Sequence, residues 1–169
     1  YDSKIEDAKS IEYAKVKPHK VKNTIKELTK PQYNIDVLKL EVPINLHFTE
    51  GYTDGATAYT KKEAIKHFQD AADLATLPFI YLSAGVTAEQ FRETIKLAAE
   101  AKTPFSGVLC GRATWQDGVK VYIEKGLQGL TEWLRTEGKA NVLELNEILE
   151  KSAVPWWNIY GGLEKIEVK

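Results

Sequence analysis

The sequence has few of the features that mark disulfide-rich, membrane or nucleic-acid-binding proteins. It contains one cysteine, no methionine and a formal net charge of −1 in 169 residues. The single thiol, Cys110, excludes an internal disulfide and agrees with a reducing compartment. The small net charge offers no field for nucleic acid or an anionic membrane, and no apolar run approaches the ~20 residues that span a bilayer. We expect a cytoplasmic protein that binds neither nucleic acid nor membrane.

Metal ligands are also scarce. The histidines are His19, His47 and His67, and their spacing does not resemble that of a metal-binding set. We expect no metal site and no cofactor.

The length predicts a single domain, because typical domains have about 100–200 residues. The chain begins at Tyr1 and lacks an initiator methionine, which we interpret as an internal fragment or a processed piece. Residues 1–138 contain strand–helix units, and residues 139–169 are expected to form an extra helix, near 142–149, and a tail.

Three strand–helix units follow an opening helix. That helix carries Val21, Ile25 and Leu28 at helical spacing, with Pro18 predicted in its first turn. The strands are predicted at residues 35–43, 78–82 and 105–110. Residues 78–82 are a continuous apolar run, which predicts burial on both faces.

Capping boxes mark where two of the helices begin. Thr60 with Glu63 and Thr87 with Gln90 have the required spacing. Alternating strands and helices predict an α/β fold with a parallel sheet. A complete (β/α)8 barrel needs about 250 residues, so the length favours half of a TIM barrel. The glycine-containing loops after the last two strands favour its carboxyl-terminal half, strands six to eight with their helices.

Lys39 is the strongest candidate for chemistry. It lies within the first strand, where alternation puts Val37, Lys39 and Glu41 on one face, away from the packed side. We expect its amine to be shielded from water, because a poorly solvated amine favours the neutral form that attacks a carbonyl to make a Schiff base. The alternative is an edge-strand lysine or an ion pair. Glu41 is a possible accessory group that bonds to Lys39 or substrate, or is purely structural.

Two loops resemble phosphate-binding devices. Ser83, Ala84 and Gly85 follow the second strand, and Gly111 with Arg112 follows the third. Glycine allows backbone amides to approach an anion closely, and a guanidinium donates two parallel bonds to phosphate. Phosphate sites in α/β barrels are often built from the loops after strands seven and eight, which would make the Lys39 strand the sixth. The alternative is ordinary turn glycines and a surface arginine.

Three segments, residues 36–43 (DVLKLEVP), 77–86 (LPFIYLSAGV) and 107–115 (GVLCGRATW), resemble the tagatose 1,6-bisphosphate aldolase family of class I aldolases. The resemblance implies that Lys39 is the Schiff-base lysine on strand six, and that Ser83, Ala84, Gly85, Gly111 and Arg112 bind a substrate phosphate. It also implies that the family's strand-five glutamate lies before Tyr1.

The resemblance implies a lyase of carbohydrate metabolism, in the tagatose 6-phosphate pathway of lactose catabolism. Its substrate would be a phosphorylated ketose, tagatose 1,6-bisphosphate, cleaved to dihydroxyacetone phosphate and glyceraldehyde 3-phosphate. We expect this isolated half to be inactive, and to form a homo-oligomer or pair with the missing amino-terminal half. The alternatives are a non-catalytic sugar-phosphate-binding or regulatory half-barrel, and another phosphate-binding barrel enzyme such as an isomerase.

Overall fold

A three-stranded parallel sheet organises the computed structural model, which describes residues 3–167. The strands are β1 (Leu38–Glu41), β2 (Phe79–Leu82) and β3 (Val108–Leu109), hydrogen-bonded in the order β1-β2-β3. Lys39 pairs with Ile80, and Leu82 pairs with both Glu41 and Leu109. All three strands therefore end at the same edge of the sheet, and the predicted α/β fold with a parallel sheet is confirmed.

Helices precede and connect the strands. Their bounds are α1 (Ile11–Leu28), α2 (Lys61–Ala72), α3 (Ala88–Glu100), α4 (Arg112–Trp115), α5 (Asp117–Trp133) and α6 (Lys139–Ser152). A π-helical segment, Leu134–Gly138, joins the last two helices, and short 3₁₀ turns follow at Trp156–Tyr160 and Leu163–Lys165. In the described part of the chain, each helix is too short or too polar to cross a lipid bilayer.

Both predicted capping boxes are confirmed. The Thr60 side chain accepts from the Glu63 amide while the Glu63 carboxylate accepts from the Thr60 amide, and Thr87 and Gln90 repeat the exchange at α3. Each box satisfies backbone donors that a helix start otherwise leaves without partners.

The prediction that Pro18 lies in the first turn of α1 is wrong. Ser10 caps the helix by accepting from the Tyr13 amide, so Pro18 lies in the helix interior. Proline has no N–H to give the carbonyl four residues earlier, that of Ala14. The buried hydroxyl of Tyr59 donates to that carbonyl at 2.6 Å instead. A tertiary hydrogen bond thus replaces the missing helical one.

The two faces of the sheet have different surroundings. Leu38, Leu40, Phe79 and Tyr81 are buried in the core with apolar side chains of α1, α2, α3 and α6. The opposite face carries Lys39 and Glu41, both exposed, beside the half-buried Ile80 and Leu82. The predicted alternation of β1 is therefore confirmed.

The prediction that residues 78–82 are buried on both faces is wrong. Phe79 and Tyr81 are buried, whereas Ile80 and Leu82 are only half-buried, on the same face as the exposed Lys39 and Glu41. The first and third strands are also shorter than predicted, since β1 covers only Leu38–Glu41 and β3 only Val108–Leu109. Ser106 and Gly107, just before β3, still hydrogen-bond to Phe79 and Tyr81 of β2.

Tyr59 links α1 to the segment that follows β1. Its hydroxyl accepts from the Asn45 amide at 3.2 Å while donating to Ala14. Burial raises the pKa of this phenol to about 12, so it keeps its proton across the neutral range.

We predict that Tyr59→Phe lowers the free energy of unfolding by about 1–3 kcal/mol, because it leaves the Ala14 carbonyl and the Asn45 amide without this partner in a buried site. Urea denaturation followed by circular dichroism measures the loss.

Tyr122→Phe is the matched control, since this tyrosine is 51% exposed. Its free energy of unfolding should stay within ~0.5 kcal/mol of the parent. Equal losses in the two variants would contradict the role given to Tyr59.

Candidate functional site

Lys39 lies on the open face of the sheet. Its side chain is exposed, and within residues 3–167 it makes no hydrogen bond or ion pair. The prediction that its amine is shielded from water is therefore wrong for this chain. The physical reason is the uncovered sheet face, because the apolar side chains that bury the core lie behind the other face of β1.

Glu41 is paired with a lysine from another element. Its Oε2 atom lies 3.5 Å from the Nζ atom of Lys17, on α1. Lys17 also donates to the Ile44 carbonyl at 3.2 Å, and its side chain is only 12% exposed. Burial lowers the pKa of Lys17, and the charge of Glu41 opposes that shift. The structure therefore gives Glu41 an ion pair with Lys17, as a structural role predicts, and shows no bond between Glu41 and Lys39.

The loop after β2 has an unusual backbone. Ala84 and Gly85 both have positive φ, +52° and +77°, and the Ser83 carbonyl closes the turn by accepting from the Val86 amide. Alanine pays roughly 1–2 kcal/mol for a left-handed conformation, and such strain concentrates at functional sites. In the described chain, the amides of Ala84 and Gly85 donate no hydrogen bond. Both N–H groups are thus available to an anion.

The loop after β3 meets the Gly85 loop. Arg112 lies so that its Nη2 atom is 3.1 Å from the position that a Cβ on Gly85 would take. Gln116 ties the two loops together by donating to the Val86 carbonyl at 3.2 Å. The structure therefore brings Arg112 over Gly85, at the edge where β2 and β3 end.

A cavity of about 550 Å³ opens at the same edge. It extends from α1 to the loop after β2, and its lining includes Lys17, Glu41, Ser83, Ala84 and Gly85. Arg112 and Gly111 are not among its lining residues, so the second predicted loop reaches the region through the contact between Arg112 and Gly85. Backbone amides, a hydroxyl and cations at this edge suit a phosphorylated ligand.

The thiol of Cys110 does not have the surroundings of a reactive cysteine. Its thiol is half-buried; burial raises its pKa, and a hydrogen bond with Ser83 opposes the rise. A thiol with a raised pKa is a poor nucleophile at neutral pH.

Sequence reasoning missed Lys17 and Gln116. Lys17 could have been found, because it follows Ala14 by three residues and precedes Val21 by four, which puts it on the buried face of α1. A cation on an apolar helix face requires a partner. No sequence signal marks Gln116, whose role depends on how the two loops meet.

The sequence matches a known family and several curated proteins. Residues 1–117 match the DeoC/LacD family aldolase. The tagatose 1,6-diphosphate aldolase of Listeria monocytogenes serotype 4a is 55% identical over 168 residues, which is 99% of this chain and 50% of that protein. The tagatose 1,6-diphosphate aldolase 2 of Enterococcus faecalis is 53% identical over 156 residues, which is 92% of this chain and 47% of that protein.

The Staphylococcus haemolyticus tagatose 1,6-diphosphate aldolase gives a similar result, 53% identity over 92% of this chain and 48% of its own length. The chain thus spans about half the length of the curated relatives it matches. The family match and these identities lead to one conclusion, that this chain belongs to the DeoC/LacD aldolase family.

Proposed function

We propose that this chain supplies the Schiff-base lysine and one phosphate-binding site of a class I aldolase that cleaves tagatose 1,6-bisphosphate. One observation carries the proposal: Lys39 and the two glycine loops belong to parallel strands that end at one edge. The curated relatives, each named a tagatose 1,6-diphosphate aldolase, support this choice of substrate. The setting would be cytoplasmic breakdown of phosphorylated sugars, with dihydroxyacetone phosphate and glyceraldehyde 3-phosphate as products.

In this proposal Lys39 is the nucleophile. Its neutral amine attacks the ketose carbonyl, and loss of water gives a protonated imine. The imine accepts the electron pair of the neighbouring carbon–carbon bond as that bond breaks, which releases the aldehyde product. Protonation of the resulting enamine and hydrolysis release the ketone and restore the amine. These proton transfers require a positioned acid–base group in addition to the lysine.

The glycine loops hold the phosphate in place. The free amides of Ala84 and Gly85, the Ser83 hydroxyl and the Arg112 guanidinium would donate to its oxygens. Gly111, which precedes Arg112, would let the backbone of that loop come close to the anion. Binding the phosphate at a fixed distance from Lys39 converts remote binding energy into orientation of the carbonyl.

The open sheet face supports a half-barrel arrangement. Parallel sheets are almost always covered on both faces, yet Ile80 and Leu82 are half-buried here and Leu109 is 48% exposed. We propose that β1–β3 are strands six to eight of a (β/α)8 barrel, with residues 1–138 as barrel units and 139–169 as an added helix and tail. An amino-terminal half-barrel, or a second copy of the chain, would cover this face.

A non-catalytic sugar-phosphate-binding half-barrel is the second candidate. The exposure of Lys39 favours it for the chain alone, because imine formation was expected from an amine that is shielded from water. The phosphate loops do not depend on that amine.

We predict that sodium borohydride traps dihydroxyacetone phosphate on Lys39, because reduction converts an imine into a stable secondary amine. The reaction is run on the chain alone and on the chain mixed with the amino-terminal half of the Listeria relative. Peptide mass spectrometry locates the adduct. The Lys39→Met variant, treated in the same way, is the control for modification elsewhere.

An adduct that appears only in the mixture indicates that covering the sheet face activates the amine. Phosphate-dependent binding without an adduct in either sample would exclude imine catalysis and favour the second candidate.

We predict that Gly85→Ala weakens binding of glycerol 3-phosphate by about tenfold or more, because the new Cβ displaces the Arg112 guanidinium from a charge-assisted contact. The free energy of unfolding should also fall by about 1–2 kcal/mol, the cost of φ +77° for a residue with a Cβ. NMR titration measures the affinity, and glycerol serves as the unphosphorylated comparison.

Gly51→Ala is the matched control. Gly51 has a φ of +84°, and a Cβ there would meet nothing within 4 Å. It should lose similar stability with no change in phosphate affinity, whereas Arg112→Ala should reproduce the binding loss of Gly85→Ala. Unchanged affinity in both Gly85→Ala and Arg112→Ala would show that these loops do not bind the phosphate.

A further inference from the structure

Two lysines are candidates to pair with Glu41, one on α1 and one on the same strand, and the structure pairs it with only one of them. Its Oε2 atom is 3.5 Å from Lys17 Nζ, whereas Lys39, two residues earlier on the same strand face, is unpaired within residues 3–167. We propose that Lys17 is a positioning residue for the imine reaction: it holds Glu41 and so keeps the Lys39 amine free for a carbonyl carbon. This role rests on the proposed function.

The ion pair between Lys17 and Glu41 is fixed from the lysine side. The Lys17 side chain is 12% exposed and donates to the Ile44 carbonyl, whereas the Glu41 side chain is 50% exposed. A buried ammonium requires compensation, because removal from water penalises its charge. The buried cation therefore determines where the more exposed carboxylate lies.

Without Lys17, the cation on the same strand face as Glu41 is Lys39. The two residues are separated by about 6–7 Å along the strand, at roughly 3.3 Å per residue, and both side chains are long enough to meet across that distance. An ion pair between them would favour the ammonium form of Lys39 and occupy its hydrogen-bond donors. An amine in that state does not attack a carbonyl.

Other titratable groups border the same cavity. Lys9 and Tyr13 come from the amino-terminal side, and His47 follows β1. Arg112 does not line the cavity but lies close by, over Gly85. In the part of the chain that the structure describes, the ion pair of Glu41 is with Lys17 and with none of these groups. The cations that compete for Glu41 in this proposal are therefore Lys17 and Lys39.

The test measures the reactivity of the Lys39 amine directly. Trace acetylation over a range of pH, read by peptide mass spectrometry, reports the neutral fraction of each lysine. Lys62 is the internal reference, since it is exposed and unpaired in the described residues. The variants are Lys17→Met, Lys17→Arg and the double variant Lys17→Met with Glu41→Gln.

In Lys17→Met, half-maximal labelling of Lys39 should move up by about half a pH unit, roughly a threefold loss of labelling at fixed pH, while Lys62 does not move. Lys17→Arg keeps a cation and should stay near the parent profile. The double variant removes the competing carboxylate and should return to the parent profile. An unchanged Lys39 profile in Lys17→Met overturns the proposal.

The Glu41→Gln variant covers the case in which Lys17→Met does not fold. It should leave Lys39 labelling close to that of the parent, because the two residues are unpaired there. A clear downward move would mean that Glu41 already pairs with Lys39, which overturns the proposal.

Labelling needs no substrate, so it tests the positioning role of Lys17 separately from the proposed aldolase function. Borohydride trapping on the same samples, with the amino-terminal half present, tests the aldolase function. Trapping in the parent with an unchanged Lys39 profile in Lys17→Met rejects the positioning role alone. Absence of trapping in the parent rejects the aldolase function, and with it the role in imine formation.

Discussion

The parallel pairing of three strands is the constraint on which the rest of the structure depends. Glu41, Leu82 and Leu109 end their strands, and the register aligns all three across the sheet. Because the strands run the same way, whatever follows each of them in sequence emerges at one edge. The Gly85 loop and the Arg112 loop therefore meet there, and Lys39 stands two residues back from that edge on the open face.

The two faces of the sheet explain why binding and catalysis depend on different parts of the molecule. The helical side is closed by a core in which Tyr81 and Phe68 are almost fully buried, so the loop positions are set by packing within this chain. The opposite side leaves Lys39 in contact with water. Phosphate binding is accordingly proposed to need only these residues, whereas imine chemistry is proposed to need a cover over the amine.

The sequence predicted local features well because their causes are local. The capping boxes at Thr60 and Thr87 depend on residues three apart, and the alternation of β1 depends on the geometry of a strand. Pro18 was placed wrongly because α1 already begins after Ser10, and the proline is accommodated inside the helix by a hydrogen bond from Tyr59, 41 positions further along the chain. No local pattern contains that contact.

The residue types of the candidate site could be named from the sequence, whereas the contacts between those residues could not. Ser83, Gly85 and Arg112 were identifiable because small residues and a cation follow apolar strands. The pairing of Glu41 with Lys17 rather than Lys39 was not, since it depends on how α1 packs beside β1. The exposure of Lys39 was missed for the same reason: burial of a strand face depends on what lies across it.

A crystal structure of the borohydride-reduced adduct with dihydroxyacetone phosphate, grown from the chain and the amino-terminal half of the Listeria relative, tests the central claim most directly. The account predicts a covalent bond to Lys39 Nζ and a phosphate about 3 Å from the Gly85 amide and the Arg112 guanidinium. A phosphate bound away from both loops, or a bond to any other lysine, would contradict it.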